Sequence, residues 1–320
     1  MTRQDKRKDV QLLLQVARMY YDLGLRQSEI AEKIGYSRPS VSRLLENARK
    51  LGIVRIQIAH PFELLFNLES ELQKHLPLTA IRVTASNPDD PIDSIGRAAA
   101  DLLVDIINDG EVIAMGNGRS LAAVARHIPF IPKPRCTVVQ LLGSIPGGRP
   151  EFGRDSSTIC NMVASQLGAT SVRMPVPLFV DNPALLQPLL REERIASTLA
   201  LAGRAHVAVV GMANIETEPS YSNVLSQQLS RESLQTLKNR GGVGHVLDQI
   251  YDADGHIIET SLSNRTIALP LAKLREIPLV IGVAAAKSKA EAIVAGIRGG
   301  IINGLVTDTD TAREILRLVS

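Results

Sequence analysis

Apolar residues in the first 50 positions recur at the spacing of three consecutive helices. The first helix is predicted over residues 10–24, with one apolar face formed by Leu13, Val16, Ala17 and Tyr20. The second carries Ile30, Ala31 and Ile34, and the third carries Val41, Leu44 and Leu45. Spacings of three and four residues place side chains on one face of a helix. The three apolar faces therefore predict a small helical core.

The junction between the second and third helices carries the signals of a tight turn. Gly35 tolerates the positive φ that such a turn requires. Ser37 offers an oxygen to cap the third helix, and Pro39 suits its first turn, where a missing N–H loses no partner. The spacing of Ala31, Gly35 and Val41 is typical of a helix-turn-helix. A helical hairpin that only packs is the alternative.

The predicted third helix exposes polar side chains suited to a DNA major groove. Arginine bonds bidentately to guanine, and serine bonds to bases or phosphates. The DNA-contacting residues predicted from this face, and from the start of the second helix, are Gln27, Ser37, Arg38, Pro39, Ser40, Ser42 and Arg43. Residues 53–58 then alternate in polarity, which predicts a strand and hence the wing of a winged helix-turn-helix.

Residues 62–76 predict a further amphipathic helix, which follows Pro61. Its apolar seam consists of Leu65, Leu68, Leu72 and Leu76. Such a seam links two domains, pairs with its copy in a dimer, or packs on the domain that follows. The sequence leaves these alternatives open.

From residue 78 onward, predicted strands and helices alternate. Strands are predicted at 80–85, 111–115, 136–143, 170–177, 206–211, 277–284 and 300–307, and helices at 92–107, 120–128, 156–167, 183–201, 289–297 and 309–318. Residues 242–260 predict two strands joined by a hairpin turn at residues 252–255. This alternation predicts the α/β fold class with a mainly parallel sheet.

Charge is distributed unevenly between the two ends of the chain. Residues 1–60 carry 12 Lys and Arg against 6 Asp and Glu, whereas the remaining 260 residues carry 24 against 27. A basic head attracts phosphate groups irrespective of base sequence. Together with the change of pattern at Pro61, this asymmetry predicts two domains. They are a winged helix-turn-helix DNA-binding domain at 1–60 and an effector-binding and oligomerisation domain at 61–320.

Hydropathy and cysteine usage indicate the cellular setting. The sequence contains no run of about 18 apolar residues, and its N-terminus lacks the apolar core of a signal peptide. Cys136 and Cys160 are isolated and lack metal-ligand spacing. Reduced, buried thiols are therefore favoured over a disulfide. A cytoplasmic protein without a membrane partner is predicted.

Three loops of the predicted α/β domain follow strand ends, where ligands bind in such sheets. The first is GNGRS, residues 116–120, which leads into a helix N-terminus suited to an anion. The second loop includes Arg149 and Arg154, and the third, residues 211–222, includes Glu216. The predicted effector contacts are Gly116, Gly118, Arg119, Ser120, Gln140, Gly143, Asn214, Asp252 and Lys289.

Sequence signatures of catalysis and of cofactor binding are missing. The GNGRS loop lacks the third glycine of a dinucleotide fingerprint, and the sequence has no P-loop. No two histidines stand at metal-binding helical spacing, and there is no G-x-S-x-G elbow. We therefore predict no catalytic residue, no metal and no cofactor, although acid–base pairs that assemble in space escape such patterns.

Four stretches of the chain together resemble the SorC/DeoR-type sugar-binding transcriptional regulators of bacteria. They are residues 19–58 with the helix-turn-helix, the GNGRS loop with VGHVLDQIYDADG at 243–255, and KAEAIVAGIRGGIINGLVTDTDTAREIL at 289–316. The resemblance covers nearly the whole chain and implies an effector domain similar to sugar-phosphate isomerases and deaminases. It also implies double-stranded operator DNA as a partner, a sugar, polyol or sugar phosphate as the effector, and a homodimer or homotetramer.

The sequence departs from the family pattern near the predicted effector site. His245 stands where an acidic residue is common, and Ala285 and Ala286 replace a usual Gly-Gly before Lys289. Strand 136–143 has no lysine, which argues against an effector held as a Schiff base. The leading hypothesis is a one-component transcription factor. The alternative is a sugar-phosphate-converting enzyme with a DNA-binding head, whereas a purely architectural DNA binder would leave the α/β domain without a role.

Overall fold

The computed structural model describes residues 3–54, 62–145, 154–215 and 228–320, with side chains from residue 9 onward. The chain divides into two compact units, Met1–Pro61 and Phe62–Ser320. Most of the predicted wing lies outside the described residues, as do Arg149 and Glu216. Among the described helices, none has both the length and the apolar character needed to cross a membrane.

The first unit is built from the helices α1 (Arg3–Tyr21), α2 (Gln27–Ile34) and α3 (Arg38–Lys50). Helix α2 ends at Gly35, whose φ of 70° is the positive value predicted for the turn. Ser37 Oγ accepts a hydrogen bond from Ser40 N at 3.3 Å and so caps α3. Pro39 lies in the first turn of α3, as predicted. Local sequence signals therefore specify this turn.

Apolar side chains from all three helices form the core of the first unit. Val16, Ile30 and Val41 have no exposed surface and pack in one cluster. Tyr21 extends the packing at one end, where its hydroxyl accepts a hydrogen bond from Arg49 Nε at 2.8 Å. The three predicted apolar faces therefore meet one another, and the helices form a compact three-helix unit.

A parallel sheet forms the centre of the second unit. Its strands are β1 (Ala80–Thr84), β2 (Val112–Met115), β3 (Thr137–Gln140), β4 (Thr170–Val172), β5 (Val207–Gly211), β9 (Leu279–Val283) and β10 (Gly304–Asp308). Among the described residues they lie in the order β1-β10-β9-β5-β2-β3-β4, and every pairing is parallel. The predicted α/β class with a mainly parallel sheet is confirmed.

Helices cover both faces of the parallel sheet. The described α-helices of the second unit are α4 (Glu63–His75), α5 (Pro91–Ile106), α6 (Arg119–His127), α7 (Ser156–Leu167), α8 (Leu186–Arg191), α9 (Glu193–Ala202), α10 (Arg231–Asn239), α11 (Leu271–Leu274), α12 (Ala290–Arg298) and α13 (Thr309–Val319). Along β2, Ile113 and Met115 join one hydrophobic cluster and Ala114 joins the other. Burial on both faces explains why the strands read as continuous apolar runs.

Helix α4 packs on the second unit through its predicted leucine seam. Leu68, Leu72 and Leu76 are buried in the same cluster as residues of α13. Glu69 is also buried, and its carboxylate accepts a hydrogen bond from Val83 N of the edge strand β1 at 2.7 Å. Of the three alternatives for this helix, packing on the following domain is the one observed, while Leu64 remains 48% exposed.

A small antiparallel sheet corrects the predicted hairpin. It consists of β6 (Ala213–Asn214), β7 (Gly242–Val246) and β8 (Gln249–Asp252). The turn between β7 and β8 lies at Leu247 and Asp248, with φ of 49° and 56°, and not at residues 252–255. Both turn residues are buried, so packing overrides the turn preference of glycine. Residues 252–255 instead turn the chain after β8 and bring Ile257 opposite Tyr251.

Two other predicted elements are interrupted by proline or by extended backbone. The strand predicted at 170–177 ends at Val172, because Pro175 and Pro177 lack the N–H that a strand pairing requires. The helix predicted at 183–201 is divided into a 3-10 turn at Pro183–Leu185 followed by α8 and α9. Glu192, with ψ of 129°, separates the last two.

Candidate functional site

The outward face of α3 carries most of the side chains predicted to contact DNA. Exposed on this face or at its start are Ser37, Arg38, Pro39, Ser42 and Arg43. Ser40 differs, because it is half-buried and its Oγ lies 2.8 Å from Ser37 Oγ. Ser40 therefore supports the cap of α3, and the two arginines remain the strongest candidates for base contact.

Gln27 and Arg38 line one open cleft of the first unit, with a volume of ≈ 750 Å³. The cleft lies where α2 and α3 begin, and Arg26 and Ser28 also line it. The N-termini of helices and arginine side chains both favour phosphate groups. The structure thus brings Gln27 and Arg38 together at a surface suited to the DNA backbone.

Asn47 is a candidate DNA contact that the sequence prediction missed. It is exposed and lies one helical turn beyond Arg43 on α3. Residues four apart share a helix face, and an asparagine amide bonds bidentately to adenine. The four-residue spacing was therefore a signal available in the sequence.

The GNGRS loop lies at the C-terminal end of β2, which pairs with β5 on one side and β3 on the other. Gly116 N donates to Val209 O at 2.9 Å and fixes the start of the loop. Helix α6 follows Gly118, whose φ is 107°, and no side chain within the described residues caps its N-terminus. The open amides at Arg119 and Ser120 therefore form an end suited to an anionic group.

The end of β5 and the β7–β8 turn border the GNGRS loop. A Cβ atom placed on Gly211 would lie 3.5 Å from Asn117 O, so the β5 end touches the loop. A Cβ atom placed on Gly116 would lie 3.5 Å from Leu247 Cδ2. A side chain at Gly116 or Gly211 would therefore occupy the space between the GNGRS loop and its neighbours. The GNGRS loop and the β7–β8 turn are therefore neighbours in the fold.

His245 and Asp248 form a buried polar pair beside this turn, which the sequence prediction missed. His245 Nδ1 lies 3.7 Å from Asp248 Oδ1, a separation too long for a hydrogen bond. Burial lowers the pKa of His245 to about 4, and the charge of Lys289 acts in the same direction. Burial also raises the pKa of Asp248 to about 7. Both groups therefore favour their neutral forms.

Backbone strain is concentrated at the same end of the sheet. Among the described residues, positive φ values outside glycine occur at Leu247, Asp248 and Ala286. Ala286 has a φ of 141° and lies three residues before Lys289, in the connection between β9 and α12. Strained backbone of this kind clusters at ligand sites and switch regions.

Gln140 and Gly143 have structural roles in the second loop, and their role as effector contacts stays a prediction. The Gln140 side chain is fully buried, accepts from Met174 N at 2.6 Å and donates to Ser156 Oγ at 2.7 Å. A Cβ atom on Gly143 would lie 2.4 Å from Pro177 O, so only glycine fits there. Arg154 contacts the GNGRS loop directly, because its backbone carbonyl accepts a hydrogen bond from Gly118 N at 2.8 Å.

Asp252 stabilises the turn that follows β8, and its role as an effector contact stays a prediction. Its Oδ1 accepts hydrogen bonds from Asp254 N at 3.0 Å and His256 N at 2.8 Å. The turn that Asp252 begins packs on Gly299, at the C-terminal end of α12, whereas Lys289 precedes the N-terminal end. The 9 residues of α12 separate the two ends by about 13 Å.

Asn214 faces away from His245 in the small sheet. Asn214 pairs with Gly244, and His245 pairs with Ala213. Because side chains alternate along a strand, Asn214 and His245 point to opposite faces of the small sheet. Asn214 Oδ1 is buried without a hydrogen-bond partner among the described residues. The structure therefore does not combine these two side chains on one surface.

Comparisons with known proteins agree with this architecture. Residues 60–317 match the Sugar-bind family model, described as "Putative sugar-binding domain". The transcriptional regulator LsrR of Escherichia coli O139:H28 is 33% identical over 310 residues, which cover 95% of this chain and 94% of that protein. The LsrR of Klebsiella pneumoniae is 31% identical over 314 residues, covering 97% and 94%.

A solved structure extends the similarity to both units. The full-length sorbitol operon regulator SorC from Klebsiella pneumoniae has a TM-score of 0.75 and 27% identity, covering 96% of this chain and 99% of that chain. A helix-turn-helix joined to an α/β unit, with loops at the strand ends where such sheets bind ligands, defines a ligand-responsive DNA-binding regulator. The chain belongs to the SorC/DeoR-type family of sugar-binding bacterial transcriptional regulators.

Proposed function

We propose that a carbohydrate effector binds between the GNGRS loop, the β7–β8 turn and Lys289, and that its binding changes the affinity of α3 for operator DNA. The observation that carries this proposal is the contact of Gly116 with Leu247 and of Gly211 with Asn117. These contacts support a site that combines the open N-terminus of α6 with the His245–Asp248 pair. The family membership supports sugar as the class of ligand.

The anionic or most oxygen-rich end of the effector belongs at the start of α6. Backbone amides there, with the Ser120 hydroxyl and the Arg119 guanidinium, suit a phosphate group. Lys289 supplies a further positive charge at the opposite side, in front of α12. A ligand that reaches both would connect β2 and β9, which are separated by β5.

On the DNA side, Arg38, Ser42 and Arg43 read base edges, while Gln27, Ser37 and Pro39 lie against the backbone. Helix-turn-helix proteins read two half-sites whose centres are separated by about 10 bp, one turn of DNA, or by a multiple of it. We therefore propose a homodimer or homotetramer that acts on double-stranded operator DNA in the cytoplasm. Sedimentation at micromolar concentration, with and without operator, tests this part, since a persistent monomer would contradict it.

We propose that the protein does not turn over its effector. The relatives that match it are named as regulators, and His245 and Asp248, the His–Asp pair that the described residues contribute to the proposed site, are buried and not hydrogen-bonded. A sugar-phosphate-converting enzyme with a DNA-binding head is the competing function. Incubation of purified protein with sugar phosphates, followed by NMR of the products, separates the two, because any catalytic conversion would contradict the proposal.

The decisive test of regulation is operator affinity measured with and without effector. A thermal-shift screen of sugars, polyols and their phosphates first identifies ligands that stabilise the native protein. Fluorescence anisotropy with an operator duplex selected from random DNA then gives the affinity in each state. Typical coupling free energies predict a change of about 5–150-fold. Equal operator affinity with every stabilising ligand would refute effector control, since a ligand shifts only an equilibrium whose states it binds unequally.

A further inference from the structure

Tyr36, in the turn between α2 and α3, has a side chain that makes no hydrogen bond, ion pair or ring contact among the described residues. It is 47% exposed and belongs to neither apolar cluster of the first unit. The other described tyrosines are used inside the protein. Tyr20 and Tyr21 pack edge to face, and the Tyr251 hydroxyl donates to Ala292 O at 3.0 Å. Tyr36 therefore calls for a role outside the protein's own fold.

The backbone at Tyr36 is anchored to the ends of both helices. Tyr36 N donates to Ala31 O of α2 at 3.0 Å, after Gly35 has turned the chain with a φ of 70°. Ser37, the next residue, accepts a hydrogen bond from Ser40 N and caps α3. Because this backbone is already ordered, the Tyr36 ring binds a partner at the loss of little more than its own side-chain freedom.

The turn that carries Tyr36 lies where DNA phosphates pass in a helix-turn-helix complex. In such complexes the first helix of the motif crosses the DNA backbone, and the N-terminal residues of the second helix contact base edges. A residue between them therefore faces the phosphates that border the major groove. Residues 35–39 are all exposed at this tip, and the first turn of α3 contains no acidic residue that would repel a phosphate.

We propose that Tyr36 contacts DNA directly, with its hydroxyl donating a hydrogen bond to a phosphate oxygen at the edge of the groove that α3 enters. The inference rests on the proposed function, in which α3 reads the operator. Tyrosine hydroxyls are among the groups that bind phosphate oxygens in protein–DNA complexes, and such contacts fix the register of the protein on the duplex. Tyr36 therefore holds α3 in register, while Arg38 and Arg43 distinguish the bases.

A phosphate contact from a neutral hydroxyl differs in its salt dependence from an arginine contact. A cation that neutralises a phosphate releases counterions, so each such contact steepens the fall of log affinity with log salt concentration by about 0.9. A tyrosine hydroxyl is uncharged at neutral pH and releases none. Loss of the Tyr36 hydroxyl should therefore weaken DNA binding without changing this slope.

Fluorescence anisotropy of full-length Tyr36→Phe tests the contact, because phenylalanine keeps the ring and removes only the hydroxyl. With an operator duplex selected from random DNA, we expect an affinity about tenfold lower than that of wild type, the scale of a hydrogen bond to a charged acceptor. A scrambled duplex should show a similar loss, since a phosphate contact is independent of base sequence. Titrations between about 50 and 200 mM salt should give the wild-type slope.

Two controls separate a DNA contact from an effect on the fold. Urea denaturation of Tyr36→Phe should give the wild-type free energy of unfolding, because the hydroxyl has no partner within the described part of the chain. Tyr251→Phe removes a hydroxyl that is bonded inside the second unit, and it should bind operator like wild type. A loss of operator affinity in Tyr251→Phe as large as that in Tyr36→Phe would overturn the inference.

Operator duplexes that carry one methylphosphonate linkage locate the contact. This linkage is uncharged and has a methyl group in place of one acceptor oxygen. Wild type should lose affinity at several linkages, and at one linkage of a half-site Tyr36→Phe should lose about tenfold less than wild type. Such a difference between the single and the double change measures a direct interaction.

Several outcomes would reject the phosphate contact of Tyr36. They are wild-type operator affinity in Tyr36→Phe, equal sensitivity of the two proteins at every linkage, a salt slope lower by about one, a loss confined to the operator duplex, and a lowered free energy of unfolding. The proposed function fails differently. Its DNA side requires Arg38→Ala or Arg43→Ala to weaken operator binding, whatever the result at Tyr36.

Discussion

Arg38 and Arg43 stand apart among the arginines of α3 because both point to solvent, whereas Arg49 bonds to Tyr21. We expect Arg38→Ala or Arg43→Ala to weaken operator binding by about 1–3 kcal/mol, the range of a good base contact. Arg204→Ala, an exposed site in the second unit, is the matched control. Anisotropy on operator and scrambled duplexes measures the effect, and full operator affinity in both α3 variants would reject α3 as the reading helix.

Asp248 makes stability depend on pH, because its folded pKa of about 7 lies above the ordinary value of 3.8. Its contribution is fully present below about pH 4 and is lost as pH rises through 7. His245 acts oppositely: its pKa falls from 6.5 to about 4, so its contribution is present above pH 6.5 and is lost as pH falls through 4. Between about pH 4 and pH 6.5 the contributions of Asp248 and His245 to the free energy of unfolding therefore change in opposite directions and partly cancel.

Replacing Asp248 by asparagine should therefore expose the contribution of the carboxyl. Relative to wild type, Asp248→Asn is expected to gain roughly 2–4 kcal/mol of unfolding free energy between pH 4 and pH 7. Urea denaturation across that range gives the difference. Parallel stability curves for the two proteins would show that Asp248 titrates normally in the folded state.

At the scale of elements, the connection between β9 and α12 joins the proposed effector site to helix α13. Ala286 N donates to Thr311 Oγ1 at 2.9 Å, and Thr311 lies buried in the first turn of α13. Helix α13 packs on α4, and α4 begins two residues after the end of the DNA-binding unit. A shift of this connection on effector binding therefore has a packed route to α4, the first helix of the second unit.

The strain at Ala286 predicts an unusual effect of glycine. Its φ of 141° is rare for any residue with a Cβ, so Ala286→Gly should raise the free energy of unfolding by about 1–2 kcal/mol. The neighbouring control Ala285→Gly has no positive φ to relieve and should lose about 0.5–1 kcal/mol. Urea titrations compare them. Destabilisation of the same size in both variants would show that Ala286 is not strained.

The elements themselves were predictable where a single local signal decided the structure. The 3.6-residue spacing in α2 and α3, with Gly35 and Ser37 between them, was enough for the helix-turn-helix. The β7–β8 turn was not predictable, because it contains no glycine. Leu247 and Asp248 adopt positive φ because both are packed in the protein interior. Gly255 is a stronger turn signal nearby, and the hairpin turn was therefore predicted at residues 252–255.

The candidate site was predictable only in part for a related reason. The GNGRS loop has a local signature, and its place at a strand end follows from the alternation of strands and helices. His245 lies inside an apolar strand pattern, and its role depends on pairing with Ala213, which is distant in sequence. The internal hydrogen bonds of Gln140, a polar residue at a strand end, were likewise not predictable, because Ser156 and Met174 are distant from it in sequence.

At the scale of the whole molecule, the proposed function divides operator reading and effector binding between separate units of one chain. Arg119 is exposed at the start of α6 and lies outside the basic first unit. Its substitution should therefore affect the response to effector without affecting the reading of DNA. Arg126, exposed at the far end of the same helix, provides a matched control.

The most direct test is an operator titration of wild type, Arg119→Ala and Arg126→Ala, each with and without the best stabilising ligand. Wild type and Arg126→Ala should change operator affinity about 5–150-fold on adding ligand. Arg119→Ala should bind operator normally without ligand and show almost no change with it. A full response in Arg119→Ala would contradict the assignment of the effector site, and loss of ligand-free operator binding would show that Arg119 serves the structure or the DNA contact instead.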